Sequence, residues 1–365
     1  MLLATFVSLC KMDKTYDYII IGQGISGTFL SWNLMNAGKS LLVIDEPRPV
    51  TASKVASGVI NPVTGRRIVR TWMIETLLPF ALDVYTKFGN ELNVSVISQK
   101  NILDFHPTPQ MMLAFKERLP VESDYLQIPE NEKVYEQYFN FYFGVGEINP
   151  CYLIDVNILL SVWRKKLTEQ NALLEEVFDI QQFIIQDSGF ITYKGISAHK
   201  IIFCDGAAGA DNPYFKLLPF AKNKGQAIIA EIPDLPRTNI FKQGITIVPW
   251  QDNLWWIGST YEWNFTDLNP SQEFRNKVEQ QLKAWLKLPY KIVNHIAAER
   301  PANLERRPFV GWHPLHQNIG ILNGMGTKGC SLAPYFAHQF ADYLINGSTI
   351  NPMVDVKRFT KILSR

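Results

Sequence analysis

The sequence predicts an α/β protein of two interleaved domains, one Rossmann-like and one α+β domain built on an antiparallel sheet. Three observations predict it. Residues Tyr16 to Gly27 read YDYIIIGQGISG, an apolar run feeding Gly22-x-Gly24-x-x-Gly27, and Asp45 closes the next apolar run, Lys39 to Ile44. Near the far end, a further apolar run, Ile319 to Leu322, leads into Gly324, Gly326 and Gly329. Between these, helix-like and strand-like stretches alternate until Phe220, where closely spaced strands take over as far as Tyr261. Short continuous apolar runs suit parallel strands buried on both faces, whereas tightly turned strands suit an antiparallel sheet.

The first unit is a strand, a glycine turn, a helix and a second strand ending in a carboxylate, and each part meets a different piece of an ADP group. Gly22 allows the tight turn, and Gly24 lets backbone amides approach a pyrophosphate. That group would sit at the positive end of a helix starting near Ile25 and Ser26, while Gly27 lets the helix pack closely on the sheet. Asp45 would take the ribose hydroxyls, with Glu46 beside it. It lies eighteen positions after Gly27, against the roughly 20 that the fingerprint expects.

A small-residue loop, Ala52 to Pro62, carries Ser57 and Gly58 and leads to a helix from about Trp72 to Phe88. Short apolar runs and proline turns then extend to Phe143, with one amphipathic piece, Pro109 to Leu119. A helix is expected over Ile154 to Gln170, and a strand near Leu174 to Ile180 carries Val177. A hairpin around Gln186 to Gly189 precedes the apolar strand Lys200 to Cys204, which ends in Asp205 and Gly206 followed by small residues that permit close approach. Asp252 and Asn253 turn between Ile245 to Trp250 and Leu254 to Ser259. A helix over Ser271 to Leu286 and a last helix from about Ser331 to Ile345 complete the order. The expected domains are therefore discontinuous: 12–88, 144–218 and 293–365 for the dinucleotide, and 89–143 and 219–292 for the substrate.

Composition bounds the function. A chain of 365 residues with 47% hydrophobic content is long enough for two well-filled cores. A net charge of +2, from 36 basic and 34 acidic side chains, gives no general pull toward nucleic acid or anionic membrane. Cys10, Cys151, Cys204 and Cys330 are widely spaced and suit reduced thiols in a cytoplasmic protein. The opening MLLATFVSLCK lacks the cationic start of a secretory signal, and no apolar run is long enough to span a bilayer. The native start is expected at Met12, with the preceding eleven residues an unstructured extension. HExxH, P-loop and zinc spacings are absent. His313 and His316 read as loop residues, and Arg164-Lys165-Lys166 as the solvated face of a helix.

Several segments align in order with one family across nearly the whole chain. They are the glycine fingerprint, Ala56-Ser57-Gly58, the stretch Ile201 to Ala208, Lys224-Gly225-Gln226, Ile257 to Thr260, Arg300-Pro301 through Gly311, and Asn323 to Pro334. Together they resemble the FAD-dependent D-amino-acid oxidase superfamily, which includes glycine and sarcosine oxidases and the oxidase half of a tRNA wobble-uridine modification enzyme. The resemblance implies a glutathione-reductase-type FAD-binding domain. It also places Gly324, Gly326, Thr327, Lys328, Gly329 and Cys330 in a second loop facing the flavin, whose helix amides could stabilise negative charge on the reduced ring.

The same resemblance suggests site roles. The arginine of the Arg-Pro motif, here Arg300, binds a substrate carboxylate in glycine and D-amino-acid oxidases; a structural ion pair with Glu299 or Glu305 is the plain alternative. Arg67-Ile68-Val69-Arg70 resembles a sarcosine oxidase segment whose arginines meet flavin and substrate, although arginines at i and i+3 usually share a solvated helix face. Lys328 would favour the anionic reduced flavin. Tyr261, with Trp250, Trp255, Trp256 and Trp263, would roof the cleft or pack the core. Sarcosine oxidases attach flavin through a cysteine before the Arg-Pro position, where this chain has His295 to Glu299, so FAD is expected to bind non-covalently and Cys330 to be a packed thiol. On another strand they carry an oxygen-activating lysine where this chain has Trp255-Trp256, which leaves oxidase and dehydrogenase both open.

The implied activity is oxidation of the carbon–nitrogen bond of an amino acid or related amine. A small-molecule substrate is the expected partner, with no membrane, nucleic acid disfavoured and self-association open. Two alternatives remain at this point. One is oxidation of an aminomethyl-uridine in RNA, with Arg66, Arg67, Arg70, Lys222 and Lys224 as a basic track; the other is flavin binding without turnover.

Overall fold

The computed structural model describes residues 15–65, 67–186 and 189–365. The expected start at Met12, Cys10, Arg66 and the turn residues Asp187 and Ser188 lie outside the described residues.

Five parallel strands form the frame of the first sheet, in the order Leu173–Leu174, Leu41–Ile44, Thr15–Ile21, Ile196–Phe203 and Ile319–Asn323. Phe309–Trp312 adds antiparallel beyond the last of them, and the hairpin Phe183–Ile185 with Ile191–Tyr193 joins the earlier half of Ile196–Phe203. The first strand ends in an unbroken buried apolar run, Tyr18 to Ile21, because both faces are covered there. Ile20 packs with Phe29, Leu30, Phe336 and Phe340 on the helical side. Ile19 and Ile21 pack with Tyr193, Phe215 and Phe359 on the other. The helices Ile25–Asn36, Ile74–Leu92, Val156–Glu169 and Gly329–Asn346 supply that helical layer.

A second, eight-stranded sheet runs Lys291–Arg300, Asn223–Glu231, Trp255–Gly258, Ile245–Pro249, Ile240–Gln243, Ile102–Phe105, Val145–Ile148 and Leu126–Gln127. Its pairs are antiparallel except Ile240–Gln243 with Ile102–Phe105. The helix Gln272–Trp285, capped by the Ser271 hydroxyl, covers one face through Phe274, Val278 and Trp285 against Ile228, Trp255 and Ile257. The opposite face, with Ala227, Ile229, Val248 and Trp256, turns toward Val63 and Ile68. The Trp256 indole donates to the Val55 carbonyl at 3.0 Å, which fastens this face to the loop after Asp45. Pairing puts Val145–Ile148 and Lys291–Arg300 in the second sheet. A division by sheets would thus start the later dinucleotide segments after 148 and after 300, instead of at 144 and 293.

Two expectations of local structure need correction. The strand expected over Leu174 to Ile180 shrinks to Leu173–Leu174, because its neighbour ends at Ile44 and no ladder remains to pair with; Val177 stands exposed beyond it. Arg67 and Arg70 share no helix face. Val63–Thr64 and Val69–Arg70 pair as a small hairpin, turned through Gly65 at φ +77 and Ile68 at φ +48.

Candidate active site

The glycine turn is pressed against the ends of the parallel strands. A Cβ on Gly22, whose φ is +96, would stand 2.6 Å from the Cys204 carbonyl oxygen, and one on Gly27 1.9 Å from that of Gly22. Asp45 lies where the second strand ends, and its Oδ1 accepts from the Gln23 amide at 2.9 Å. Its Oδ2 meets Arg164 Nη1 at 2.6 Å, and Arg164 also donates to Gln23 Oε1, to the Asp45 carbonyl and to Glu175. Arg164 is therefore no solvated residue: its helix passes over the strand end, and the guanidinium folds down onto the acid. Glu46 pairs with Arg48. Ser53, absent from the sequence expectation, accepts from the Ile25 amide at 3.1 Å through its hydroxyl; its only signal is membership of the small-residue loop that also holds Ser57.

The second glycine loop comes to the same place. A Cβ on Gly329 would lie 3.3 Å from Ile25 Cγ2, so the helices Ile25–Asn36 and Gly329–Asn346 begin side by side. Neither Gly24 nor Lys328 caps its helix with its own side chain, although Ser53 takes the Ile25 amide. By contrast Thr108, Asp155 and Ser271 cap the helices they precede; Ile74–Leu92 is also uncapped, with Glu75 in its first turn. Two adjacent helix starts with positive ends and spare amides fit an anionic diphosphate.

Asn323 ties the two strand ends together, donating to Asp205 Oδ1 at 2.8 Å and to the Gly206 carbonyl at 2.9 Å. Burial pushes Asp205 up to about 6, against the pull of the Asn212 and Asn323 amides. Gly324 and Gly326 have φ of +77 and +58, and the Gly326 amide donates to the Pro301 carbonyl at 3.2 Å, joining this loop to the Arg-Pro segment. Thr327 is exposed. Cys330 is buried, its thiol is pushed up to about 12 by burial, and its carbonyl accepts from the Tyr85 hydroxyl at 2.9 Å. Gly58 is a packing glycine whose Cβ would stand 2.1 Å from the Ile154 carbonyl oxygen, and Ser57 lines a neighbouring cavity.

Arg300 ends its strand with the guanidinium laid over Gly225, where a Cβ would be 1.9 Å from Nη2. Its Nη1 donates to Asn223 Oδ1 and to the Thr260 carbonyl, both at 2.9 Å, and its charge stands 4.8 Å from the centre of the Tyr261 ring. The carboxylates that could have neutralised it are engaged elsewhere: Glu299 with Lys222 at 3.3 Å and Glu305 with Arg358 at 3.0 Å. Burial lowers the guanidinium's proton affinity, with Tyr261 and Glu262 acting the other way. The result is a fixed, partly desolvated cation whose bound partners are neutral.

Lys328 donates to Thr71 Oγ1 at 3.2 Å, and burial pushes its ammonium down to about 8. Trp255 and Trp256 are core residues, whereas Tyr261 and Trp263 are exposed at 59% and 57%. Arg70 pairs with Glu122, with Glu75 at 2.7 Å and with Asp124 at 3.6 Å. Arg67 is exposed and makes no ion pair among the described residues. Lys222 also reaches Asp211, and the buried Lys224 donates to the Asn269 carbonyl at 2.6 Å near Glu262 and Asp267. Among the described residues no group could hold a metal ion, and no helix is long and apolar enough to cross a membrane.

Known proteins are similar to this chain in sequence and in fold. The chain is 23% identical to the glycine oxidase of Pseudomonas putida over 358 residues, covering 91% of this chain and 95% of that one. Its fold is similar to the glycine oxidase of Bacillus cereus, with a TM-score of 0.78 at 16% identity over 96% of this chain and 99% of that one. It is also similar to the L-proline dehydrogenase of P. horikoshii, with a TM-score of 0.74 at 17% identity over 96% and 99%. Residues 17–343 match the family model described as FAD dependent oxidoreductase. The chain belongs to that family of FAD-dependent oxidoreductases, and FAD is its cofactor.

Proposed function

We propose that the protein oxidises the carbon–nitrogen bond of an amino acid or a closely related amine that bears a carboxylate. The observation that carries this reading is Arg300, a cation positioned by Asn223, Thr260 and Tyr261 with no carboxylate within 4.0 Å among the described residues. A planar guanidinium held by neutral acceptors keeps donors for a two-oxygen anion, and burial strengthens that contact. The relatives' names, two glycine oxidases and a proline dehydrogenase, accord with such substrates.

The two adjacent helix starts, the glycine turn and Asp45 would hold the cofactor, which is proposed to bind non-covalently. When bound, FAD supplies the acceptor for the hydride that leaves the substrate's α-carbon. The chain's part is positioning. The bare backbone at Gly225 gives the Arg300 guanidinium the room to lie flat on the sheet. The residues that hold Arg300 include no base at neutral pH, so the amine must react in its uncharged form. Lys328 contributes positive charge at the second glycine loop.

The reading is tested by anaerobic bleaching of the flavin band with a panel of amino acids and the amines that lack their carboxylate. Reduction by amino acids and much slower reduction by the matching amines is expected. Equal rates for the two sets would remove Arg300 from substrate binding, and no bleaching by any amine would end the proposal.

A further inference from the structure

Away from Arg300, a cavity of about 220 Å³ opens between the small sheet strands Ile97–Gln99 and Tyr152–Ile154, the start of the helix Val156–Glu169 and the turn after Pro249. Its lining includes Ser57, Ser98, Lys100, Asp155, Arg237 and Trp250. Arg300 is not part of its lining. Ala230, which aligns through Trp255 with Pro249 at the cavity, lies five positions along its strand from Gly225, about 16 Å at 3.3 Å per residue.

The charges in this cavity are out of balance. Lys100 Nζ donates to the Arg237 carbonyl at 2.7 Å, so the two cationic residues are locked together. Arg237 Nη1 donates to the Leu254 carbonyl at 2.8 Å and Nη2 to that of Trp250, while the guanidinium stands 5.2 Å from the Trp255 ring centre. Neither cation has a carboxylate within 4.0 Å among the described residues. Asp155 is the one acid in the lining. Its Oδ1 is occupied by the Ile158 amide at 2.9 Å and by Gln251 Nε2 at 3.4 Å. Burial lowers the proton affinity of both Lys100 and Arg237, and each Lys100 proton also feels Arg237. Two half-buried cations facing one carboxylate leave a net positive charge in the cavity that an anion would offset.

We infer that this cavity is a second binding site, for a small oxyanion of the carboxylate or phosphate class, with Lys100 as its principal donor and Arg237 as the fixed cation behind it. The ammonium has three donors and spends one on the Arg237 carbonyl. Serine hydroxyls at positions 57 and 98 line the same space and supply neutral donors. A cavity of about 220 Å³ has room for phosphate or a four-carbon dicarboxylate. Because Ser57 belongs to the loop read as cofactor-binding, an anion here would adjoin that loop without touching the substrate cation.

Isothermal titration of the FAD-loaded enzyme with inorganic phosphate and, separately, with succinate tests the assignment. Saturable binding of at least one anion, weakened about tenfold or more in Lys100→Gln and largely recovered in Lys100→Arg, is the expected result, and the tighter arm identifies the ligand chemistry. The phosphate titration on Arg300→Gln should be unchanged, and the Lys100-dependent part of the succinate titration should persist. Absence of saturation by either anion, equal affinity in Lys100→Gln, or loss of binding in Arg300→Gln would each overturn the second site. The last outcome would move the anion to the substrate cation and leave the proposed oxidation intact. Should Lys100→Gln fold poorly by thermal melt, Ser98→Asp, which adds a competing charge at the rim, gives the same reading: binding lost if the site exists, unchanged if it does not.

Discussion

At the scale of single residues, Gly225 and Lys328 decide the most. Arg300 can lie flat only because position 225 has no side chain. Gly225→Ala is expected to swing the guanidinium off its Asn223 and Thr260 acceptors, and the loss of a charge-assisted contact of about 1.5–3 kcal/mol raises KM for a carboxylate substrate roughly 10- to 100-fold. FAD content should not change, which steady-state kinetics and the absorption ratio of the purified variant will check. Lys328 titrates far below the usual lysine value of 10.5, at about 8. Between these two values the unfolded chain holds more protons than the native one, so stability from this group rises with pH across that window. Below it the native state carries the full cost of a desolvated ammonium. Lys328→Met should therefore raise the melting temperature of the cofactor-free protein at neutral pH, with the gain fading as pH climbs from about 8 to 10.5. A gain that persists above that window would place the effect in packing and not in charge.

At the scale of elements, the glycine-turn helix and its C-terminal counterpart stand or fall together. Gly27→Ala puts a methyl 1.9 Å from the Gly22 carbonyl oxygen, and overpacking of this kind costs about 1–3 kcal/mol. The helix start must also shift, so weaker FAD retention on gel filtration is expected along with the lower melting temperature; an unchanged FAD-to-protein ratio would separate the turn from cofactor binding. Much of this element pattern is legible in the sequence, since glycine spacing, apolar runs and the Ser271 cap are local signals. The hairpin at Val63 to Arg70 is not, because Arg67 and Arg70 carry a helix-compatible spacing while Gly65 and Ile68 turn the backbone. Arg164 is misread for a related reason. Its own helix presents it as a polar face, and only the long-range approach of Asp45 and Gln23 reveals its partners. Ser53 and Lys100 are likewise invisible locally, since what defines them is a backbone amide and an arginine carbonyl from distant segments.

At the scale of the whole molecule, the two sheets are held in one unit by Trp256 on Val55 and by the Gly326 contact to Pro301. Cofactor binding at the proposed seam between segments from opposite parts of the chain would stabilise all of them at once. Added FAD is expected to raise the melting temperature of the apoprotein progressively, by about 2.7 kcal/mol of stability at one hundred times its Kd; a single transition that moves as a whole, followed by circular dichroism, is the signature. Two transitions, only one of them FAD-dependent, would mean that the sheets melt independently. The pairing of Ile319–Asn323 with Ile196–Phe203 has a further consequence for biosynthesis. On the proposed site, a ribosome must deliver the segment beyond Gly324 before the diphosphate cradle can close, so flavin loading would be a late event, and a nascent polypeptide stalled upstream of that glycine would carry half a clasp.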